Sequence, residues 1–290
     1  MKSSLVSLLI AGAVLLTAQP PPQGQRPGRP PRVPGRQVVL IWADTRNGIA
    51  QHDSVSHAMA TIERLGYESG VYDSYIRTDS NIISKSPKMT DGKPASGGPS
   101  LASVDAIFFL GHREIELDAQ QKADLLAFVH DDGKGFVAAH TATTAFGAWP
   151  EFGEMLGGRF DNHPWNTVEA PVITEDPSFP AVRHMPAMFD LREEFYQTKE
   201  WSREKIRVVL RLDTSKLPMN PNVHSTNGDF PLAWAKTYGK GRVFYSALGH
   251  DRKTWDNSDV YQMYFEALKW SLGITQGDAT PRAMPAPPTP

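Results

Sequence analysis

The chain has 290 residues, a formal net charge of −2 and no cysteine. The lack of cysteine excludes a disulfide framework, and the interspersed charges form no basic stripe of the kind that binds nucleic acid. No phosphate loop or dinucleotide fingerprint is present, so we expect no nucleotide cofactor. The expected partner is therefore a small neutral or weakly charged molecule.

The N-terminus predicts a secretory signal peptide over residues 1–18. It has one lysine, an apolar run from Leu5 to Leu16 and a small-residue exit at Thr17-Ala18. A retained membrane anchor is the alternative, but a membrane span needs about 20 apolar residues. No second apolar run follows, so we expect an exported chain, periplasmic or extracellular, with no membrane span after cleavage.

Proline-rich segments flank the part of the chain that can fold. Residues 19–36 predict an extended linker and residues 276–290 a disordered tail, because such sequence cannot bury a core. The intervening residues 37–275 have the length of one large α/β domain.

Strand and helix patterns alternate in the first half of this domain. Strands are predicted at residues 36–44, 67–75, 104–112 and 136–140. Helical spacing runs from Ser54 to Gly66, and a second helix opens at Asp118 with Gln121 as its capping partner. This alternation predicts βαβ crossovers and an α/β fold with a mainly parallel sheet sandwiched by helices.

The second half of the domain is less regular. Strands are predicted at residues 168–174 and 205–213, followed by a hairpin with a Gly-Lys-Gly turn within 231–251. A final helix carries apolar residues from Val260 to Leu268 on one face.

Five of the nine histidines fall where the strands of a parallel sheet would end. His112, His140 and His250 each follow a predicted strand, and His52 and His163 lie in loops at the same edge. Ligands of parallel α/β sheets bind outside the carboxyl ends of the strands. His140 also stands at the strand-to-helix turn of "FVAAHTATTAF", where many α/β enzymes hold a nucleophile.

Carboxylates accompany these histidines at Glu193, Glu194 and Asp251. Imidazole with carboxylate can transfer protons near neutral pH, or it can bind a divalent metal such as zinc with a position open for substrate. No histidine pair has the i, i+4 spacing of a helical metal motif. Both chemistries, and a purely structural role for individual histidines, stay open at this point.

Five segments together carry a family pattern: "FFLGH", "GFVAAHTAT", "EMLGGRFDNHP", "EEFYQ" and "YGKGRVFYSALGHD". In that order they resemble the ThuA-like family, named for trehalose utilisation, over roughly Val38 to Ile274. The resemblance implies a fold similar to class I glutamine amidotransferases, a parallel sheet between helices. Those enzymes hold a cysteine at the elbow where this chain has His140, so thioester chemistry on glutamine is not available there.

The resemblance also implies a set of site residues. The motif histidines of the family match His52, His112, His140, His163 and His250. The acidic-aromatic motif of the family, Asp-Glu-x-Tyr, matches Glu193-Glu194-Phe195-Tyr196, with Glu193 in place of the aspartate.

The family is associated with the use of disaccharides through 3-keto sugars, which implies a small carbohydrate as the substrate. A ketone at C3 acidifies the C2 proton, and loss of that proton gives an enediolate that can expel the C1 oxygen. We expect His140, Glu194, His250 and Asp251 to be catalytic, with His140 or Glu194 as the base and Asp251 orienting His250. Elimination, hydrolysis and isomerisation could all use this intermediate.

The remaining residues are expected to bind substrate or metal. Substrate contacts are predicted for His52, His112, His163 and Tyr196. The enediolate oxygen would be stabilised either by imidazolium groups of His163 and His250 or by a divalent metal. If a metal such as zinc is bound, its predicted ligands are His140, His163 and His250.

Two other classes of function fit the same residues. A non-catalytic carbohydrate-binding protein would use the polar cluster only to hydrogen-bond hydroxyl groups. A metal-dependent amide or ester hydrolase is the alternative suggested by the fold. The sequence carries no signal for the oligomeric state.

Overall fold

The computed structural model describes residues 35–285, except residues 90, 96, 97 and 226. The predicted signal peptide and residues 19–34 of the predicted linker lie outside the described residues.

Eleven strands and five α-helices are present in the described part of the chain. The strands are β1 (Val38–Trp42), β2 (Asp73–Arg77), β3 (Ala106–Phe109), β4 (Gly135–Ala139), β5 (Arg159–Asn162), β6 (Thr167–Thr174), β7 (Met188–Glu194), β8 (Gln197–Lys199), β9 (Arg207–Leu212), β10 (Pro231–Tyr238) and β11 (Gly241–Ser246). The helices are α1 (Ser54–Ser69), α2 (Ala119–His130), α3 (Pro150–Leu156), α4 (Arg252–Asp256) and α5 (Ser258–Ser271).

Nine of the strands form one sheet in the order β2-β1-β3-β4-β11-β10-β9-β6-β7. The strands from β2 to β11 pair in parallel, and we call them the parallel half. The strands from β10 to β7 pair antiparallel and form the antiparallel half. β5 and β8 make a separate two-stranded sheet. The predicted α/β fold with a mainly parallel central sheet and flanking helices is confirmed.

The apolar runs of the parallel half form its core. Every residue of β1, β3 and β4 is buried, as expected for strands covered by helices on both faces. The capping pair at the start of α2 is also confirmed, because Asp118 accepts from the Gln121 backbone at 2.8 Å and Gln121 accepts from the Asp118 backbone at 3.0 Å.

The end of the first helix differs from the prediction. α1 continues through Gly66 to Ser69 and is capped by Gly70, whose φ of 67° is left-handed. The strand predicted at 67–75 is therefore shorter and later, as β2. Gly66 has a packing role instead, since a Cβ there would lie 2.2 Å from the Tyr72 ring.

The first residues of the segment predicted as a disordered tail contact the domain. Trp270 donates its indole N–H to the Gly277 carbonyl at 3.0 Å, and Arg207 lies 3.0 Å from Asp278. Arg282 donates to the Glu175 carbonyl at 2.8 Å. None of the helices in the described residues is long and apolar enough to cross a membrane.

The antiparallel half curves back over the carboxyl edge of the parallel half. Each strand from β10 to β7 reverses direction, so β7 ends at the same edge as β11. In a flat sheet these two strands would lie about 19 Å apart, because adjacent strands are about 4.8 Å apart. Glu193 in β7 nevertheless accepts hydrogen bonds from the backbone of Gly249 and His250, just beyond β11. The two halves therefore meet at this edge.

Candidate functional site

Four side chains from four strand ends converge at the carboxyl edge of the sheet. The loop after β1 provides His52, and β4 leads directly into His140. The segment after β11 provides His250, and β7 ends at Glu194. One ring nitrogen from each histidine and one carboxylate oxygen all lie within 4.8 Å of one another. We call these four residues the histidine–glutamate cluster.

The Glu194 carboxylate is the centre of this cluster. Its Oε2 atom lies 3.0 Å from His250 Nδ1, 3.5 Å from His140 Nε2 and 4.0 Å from His52 Nε2. Burial by itself would raise the Glu194 pKa, but its contacts with His140, His250 and His52 hold that pKa far below its usual range. Glu194 is therefore ionised at neutral pH, with three ring nitrogens around one oxygen.

The His140 backbone makes a strained turn between β4 and the following 3₁₀ turn. Its φ of 39° is left-handed, a conformation that costs a non-glycine residue about 1–3 kcal/mol. The Tyr245 hydroxyl donates to the His140 carbonyl at 3.0 Å and holds the turn in place. The imidazole is fully buried, with its ring centroid 3.9 Å from that of Tyr196. The elbow predicted at this position therefore carries a fixed imidazole.

The hydrogen bonds of His140 determine which of its nitrogens is free. Nδ1 lies 2.7 Å from the Ala247 carbonyl, which can only accept, so Nδ1 carries the proton. Burial lowers the pKa of His140 to about 4, against the opposing effect of Glu194. The ring is therefore neutral at pH 7, and the Nε2 lone pair faces the Glu194 carboxylate.

The cluster fits a divalent metal ion. His140 Nε2 and His250 Nδ1 are buried and have no hydrogen-bond partner among the described residues, because their close contacts with Glu194 are not aligned for one. A lone pair and a carboxylate oxygen that face each other repel unless a cation lies between them. Ligands about 2.1 Å from zinc lie about 3–4 Å apart, so the 4.8 Å spread would contract by about 1–2 Å on binding.

Similarity to known proteins agrees with the fold and with the sequence motifs. The sequence matches the family model described as ThuA, trehalose utilisation, over residues 38–271. The chain belongs to the ThuA family. No curated protein matches it.

Solved structures of ThuA-like proteins share the fold of this chain. One from Bacteroides uniformis superposes with a TM-score of 0.64 at 20% identity, covering 84% of this chain and 95% of that one. Another from Parabacteroides merdae gives a TM-score of 0.61 at 17% identity, covering 85% and 98%. The predicted family and the class I glutamine amidotransferase-like fold are confirmed.

The set of metal-competent residues in this ThuA-family chain differs from the predicted one. His140 and His250 belong to it, but His52 and Glu194 complete it in place of His163. His163 instead faces the other carboxylate oxygen, with Nδ1 3.8 Å from Glu194 Oε1, and its side chain is 40% exposed. It lies in the loop after β5 and is the most exposed of the five motif histidines.

His112 and Tyr196 lie around the cluster without joining it. The His112 ring packs edge-on to His52 with centroids 5.2 Å apart, and burial lowers the pKa of His112 to about 4. Tyr196 lies between His140 and His163, with ring centroids 3.9 Å and 6.1 Å away. All eight residues that the sequence singled out are therefore close to this one edge.

Asp251 does not contact the His250 ring in the structure. Its carboxylate accepts from the Thr254 backbone at 3.0 Å and caps α4. Glu193 holds the His250 segment instead, since it accepts from the backbone N–H groups of Gly249 at 2.9 Å and His250 at 3.1 Å. It also accepts from the Thr254 hydroxyl at 2.8 Å.

Sequence reasoning named Glu193 but did not find this role. Successive residues of a strand point to opposite faces, so the adjacent Glu193 and Glu194 of β7 could not both face the substrate. Glu193 is 1% exposed, and burial raises its pKa to about 7 against the effect of its hydrogen bonds. The alternation of side-chain direction along "REEF" is the sequence signal for this difference. It could have predicted that one glutamate faces the site and that the other holds the backbone behind it.

Proposed function

We propose that this chain is an exported, metal-dependent enzyme that acts on 3-keto sugars or 3-keto disaccharides through an enediolate. The observation that carries the proposal is the convergence of three imidazole nitrogens on one oxygen of Glu194, all within 4.8 Å. Imidazole and carboxylate together suit zinc and other divalent transition metals.

The metal would be held by His52, His140, His250 and Glu194. When bound, it would supply a Lewis acid that stabilises the negative charge that develops on the sugar oxygen. In the metal-free protein the Glu194 carboxylate raises the pKa of His250, because it favours the ring with a proton bound. Metal binding would displace that proton, and metal affinity would therefore fall as the pH falls.

We assign the general base to His163 rather than to His140 or Glu194. His140 is fully buried, with Nδ1 committed to the Ala247 carbonyl, so it cannot reach a C2 proton. The Oε2 atom of Glu194 faces the three histidines of the cluster, where it would be a metal ligand rather than a base. His163 is the most exposed of the five motif histidines, and its Nδ1 lies 3.8 Å from Glu194 Oε1. A base there would take the C2 proton while the cluster faces the adjacent carbonyl.

The carbohydrate assignment has support of a different kind. The family model carries the description trehalose utilisation. The acidity of C2 beside a C3 ketone matches a site that combines a base with a group able to bind an oxyanion. The signal-peptide pattern of residues 1–18 supports action in the periplasm or outside the cell.

Metal analysis of protein purified without chelators tests the metal part of the proposal. We expect about one equivalent of a divalent ion in the wild type and its loss in His52→Ala and His250→Ala. His57→Ala is the matched control, because His57 lies on α1 against Asp256, 2.7 Å away and outside the cluster. A wild type that binds no divalent ion when zinc, manganese or iron is added would refute the metal site.

The activity is tested separately with the metal-loaded protein. We expect a 3-keto disaccharide to be consumed, with C2–H exchange in deuterated water that is lost in His163→Ala. Metal binding without any turnover or exchange would contradict the enediolate chemistry and favour a binding protein. Turnover of simple esters or amides, but not of keto sugars, would favour a metal-dependent hydrolase.

A further inference from the structure

A polar cavity of about 510 Å³ lies beside the histidine–glutamate cluster. Its lining comes from the segments that follow β1, β2 and β3, and it includes Asp44, Asn47, Asn81, Glu114, Glu116 and Gln121. We call it the switch cavity, because the chain crosses from β1 to β2 on one side and β3 lies on the other. Open α/β sheets bind ligands in the crevice at such a switch in strand order.

The switch cavity and the cluster share two loops. The loop after β1 contains Asn47 and His52, and the loop after β3 contains His112 and Glu114. The Asn47 side chain joins the loops, since its amide donates to the His112 carbonyl at 2.6 Å. His112 in turn packs against His52 of the cluster. The two shared loops therefore place the cavity and the cluster side by side along this edge.

The lining of the cavity indicates what it can bind. Asp44, Glu114 and Glu116 outnumber the one cation, Arg46, which disfavours an anionic ligand. Side-chain amides donate to and accept from hydroxyls, and carboxylates accept from them. Asp44 is a fixed part of the wall, because it accepts from the Ser80 hydroxyl at 2.6 Å and from the Arg46 backbone at 2.9 Å. The volume lies within the roughly 300–1,000 Å³ of small-molecule sites.

We propose that the switch cavity binds the second, unreacted ring of a disaccharide-type substrate while the keto ring lies at the cluster. This inference rests on the proposed function and adds to it the place where the second ring of a disaccharide binds. Binding energy from the second ring would then position the reacting ring.

The test uses Asn81→Ala/Glu116→Ala in the full chain, since both side chains are exposed at the cavity wall. Ligand-observed NMR titration with trehalose and with methyl α-glucoside measures binding without turnover. We expect trehalose to bind the wild type at least tenfold more tightly than the methyl glucoside, and that ratio to fall about tenfold in the variant. Glu204→Ala is the control, because Glu204 is exposed in the segment before β9 and away from the cavity lining.

The same variant is then compared in turnover. We expect the ratio of kcat/KM for the 3-keto disaccharide to that for the methyl 3-keto-glucoside to fall about tenfold. A variant that binds and turns over both sugars in the wild-type ratio overturns the cavity proposal and leaves the proposed function intact. Cavity-dependent trehalose binding without turnover of any keto sugar supports the cavity and contradicts the proposed chemistry. A wild type that binds both sugars equally also overturns the cavity proposal.

Discussion

The parallel and antiparallel halves of the sheet contribute different kinds of groups to the same site. The parallel half supplies the imidazoles, each placed where a buried strand ends. The antiparallel half supplies the carboxylates, with Glu194 among the histidines and Glu193 behind the His250 segment. The four-residue cluster contains groups from both halves, so it is complete only because the antiparallel half curves back over the edge.

The two halves hold their site residues in place in different ways. The His140 imidazole is held within the parallel half, by the Ala247 carbonyl just beyond β11. Glu194 lies at the end of β7, four strands away from β11 in the sheet. The position of Glu194, and that of the His250 segment held by Glu193, therefore depends on the curvature of the sheet, whereas the position of His140 depends on its own turn and the neighbouring strand.

Removing the carboxylate should have the largest effect. We expect Glu194→Gln to lose the stoichiometric metal and to reduce keto-sugar turnover by at least about 10³-fold, because the loss of the ligand also removes the charge that binds the ion. The measurement is metal content followed by kcat/KM. Glu169→Gln, an exposed carboxylate on β6, should change neither quantity. A Glu194→Gln protein with full metal content would contradict the central role of the antiparallel half.

Changing Glu193, which holds the His250 segment, should have the second-largest effect on metal binding. We expect Glu193→Gln to weaken metal binding by about 10–100-fold, the usual loss when a group that orients a ligand is changed. An amide at this position cannot accept from all of its donors, because one of its ends is itself a donor. The measurement is the metal Kd, with thermal stability recorded beside it.

Asp251→Asn provides the contrast to Glu193→Gln. Asp251 caps α4, so its loss should reduce stability by about 1 kcal/mol or less and leave the metal Kd within about twofold. If the two variants weaken metal binding equally, Glu193 has no special positioning role. Partial recovery of the metal Kd in Glu193→Asp would support that role.

His112 and Glu193 should give the stability of the metal-free protein opposite pH dependences. His112 has a folded pKa of about 4 against an unfolded value of 6.5, so the unfolded state binds more protons between these values and stability is lost as the pH falls. Glu193 has a folded pKa of about 7 against 4.5 unfolded, so its contribution is lost as the pH rises through that range.

Urea unfolding between pH 4.5 and 6.5 measures these contributions. We expect His112→Gln to reduce the slope of unfolding free energy against pH by up to about 1.4 kcal/mol per pH unit, one proton's worth. Glu193→Gln should change the slope in the opposite direction. Equal slopes in the wild type and His112→Gln would show that His112 titrates normally in the folded protein.

The sequence predicted the parallel half well for a physical reason. Strands buried on both faces read as continuous apolar runs, and parallel strands all end at one edge, so the histidines that follow them could be grouped without knowing the sheet. No comparable rule predicts where the side chains of the antiparallel half lie. The inclusion of Glu194 and the exclusion of His163 depend on how far β7 and the β5–β8 pair fold over the edge, and no local pattern records that distance.

The prediction that the first helix ends at Gly66 is wrong for a different reason. Gly66 was interpreted as a helix end because glycine commonly ends helices, whereas it lies inside α1 beneath Tyr72. Tyr72 is held there by its hydroxyl, which donates to the Ile62 carbonyl at 2.6 Å. The reason for this glycine is therefore a tertiary contact, which the sequence around it does not contain.

Gly66→Ala tests that reason, with an effect expected on stability alone. Helix propensity alone would favour alanine by about 1 kcal/mol. We expect instead a net loss of about 1–2 kcal/mol in the free energy of unfolding, because the new Cβ would lie 2.2 Å from a buried ring. Adding Tyr72→Leu should make Gly66→Ala neutral or favourable in a double-mutant cycle measured by urea unfolding. A penalty that persists without the tyrosine ring would instead locate the constraint in the backbone at position 66, as the helix-end interpretation requires.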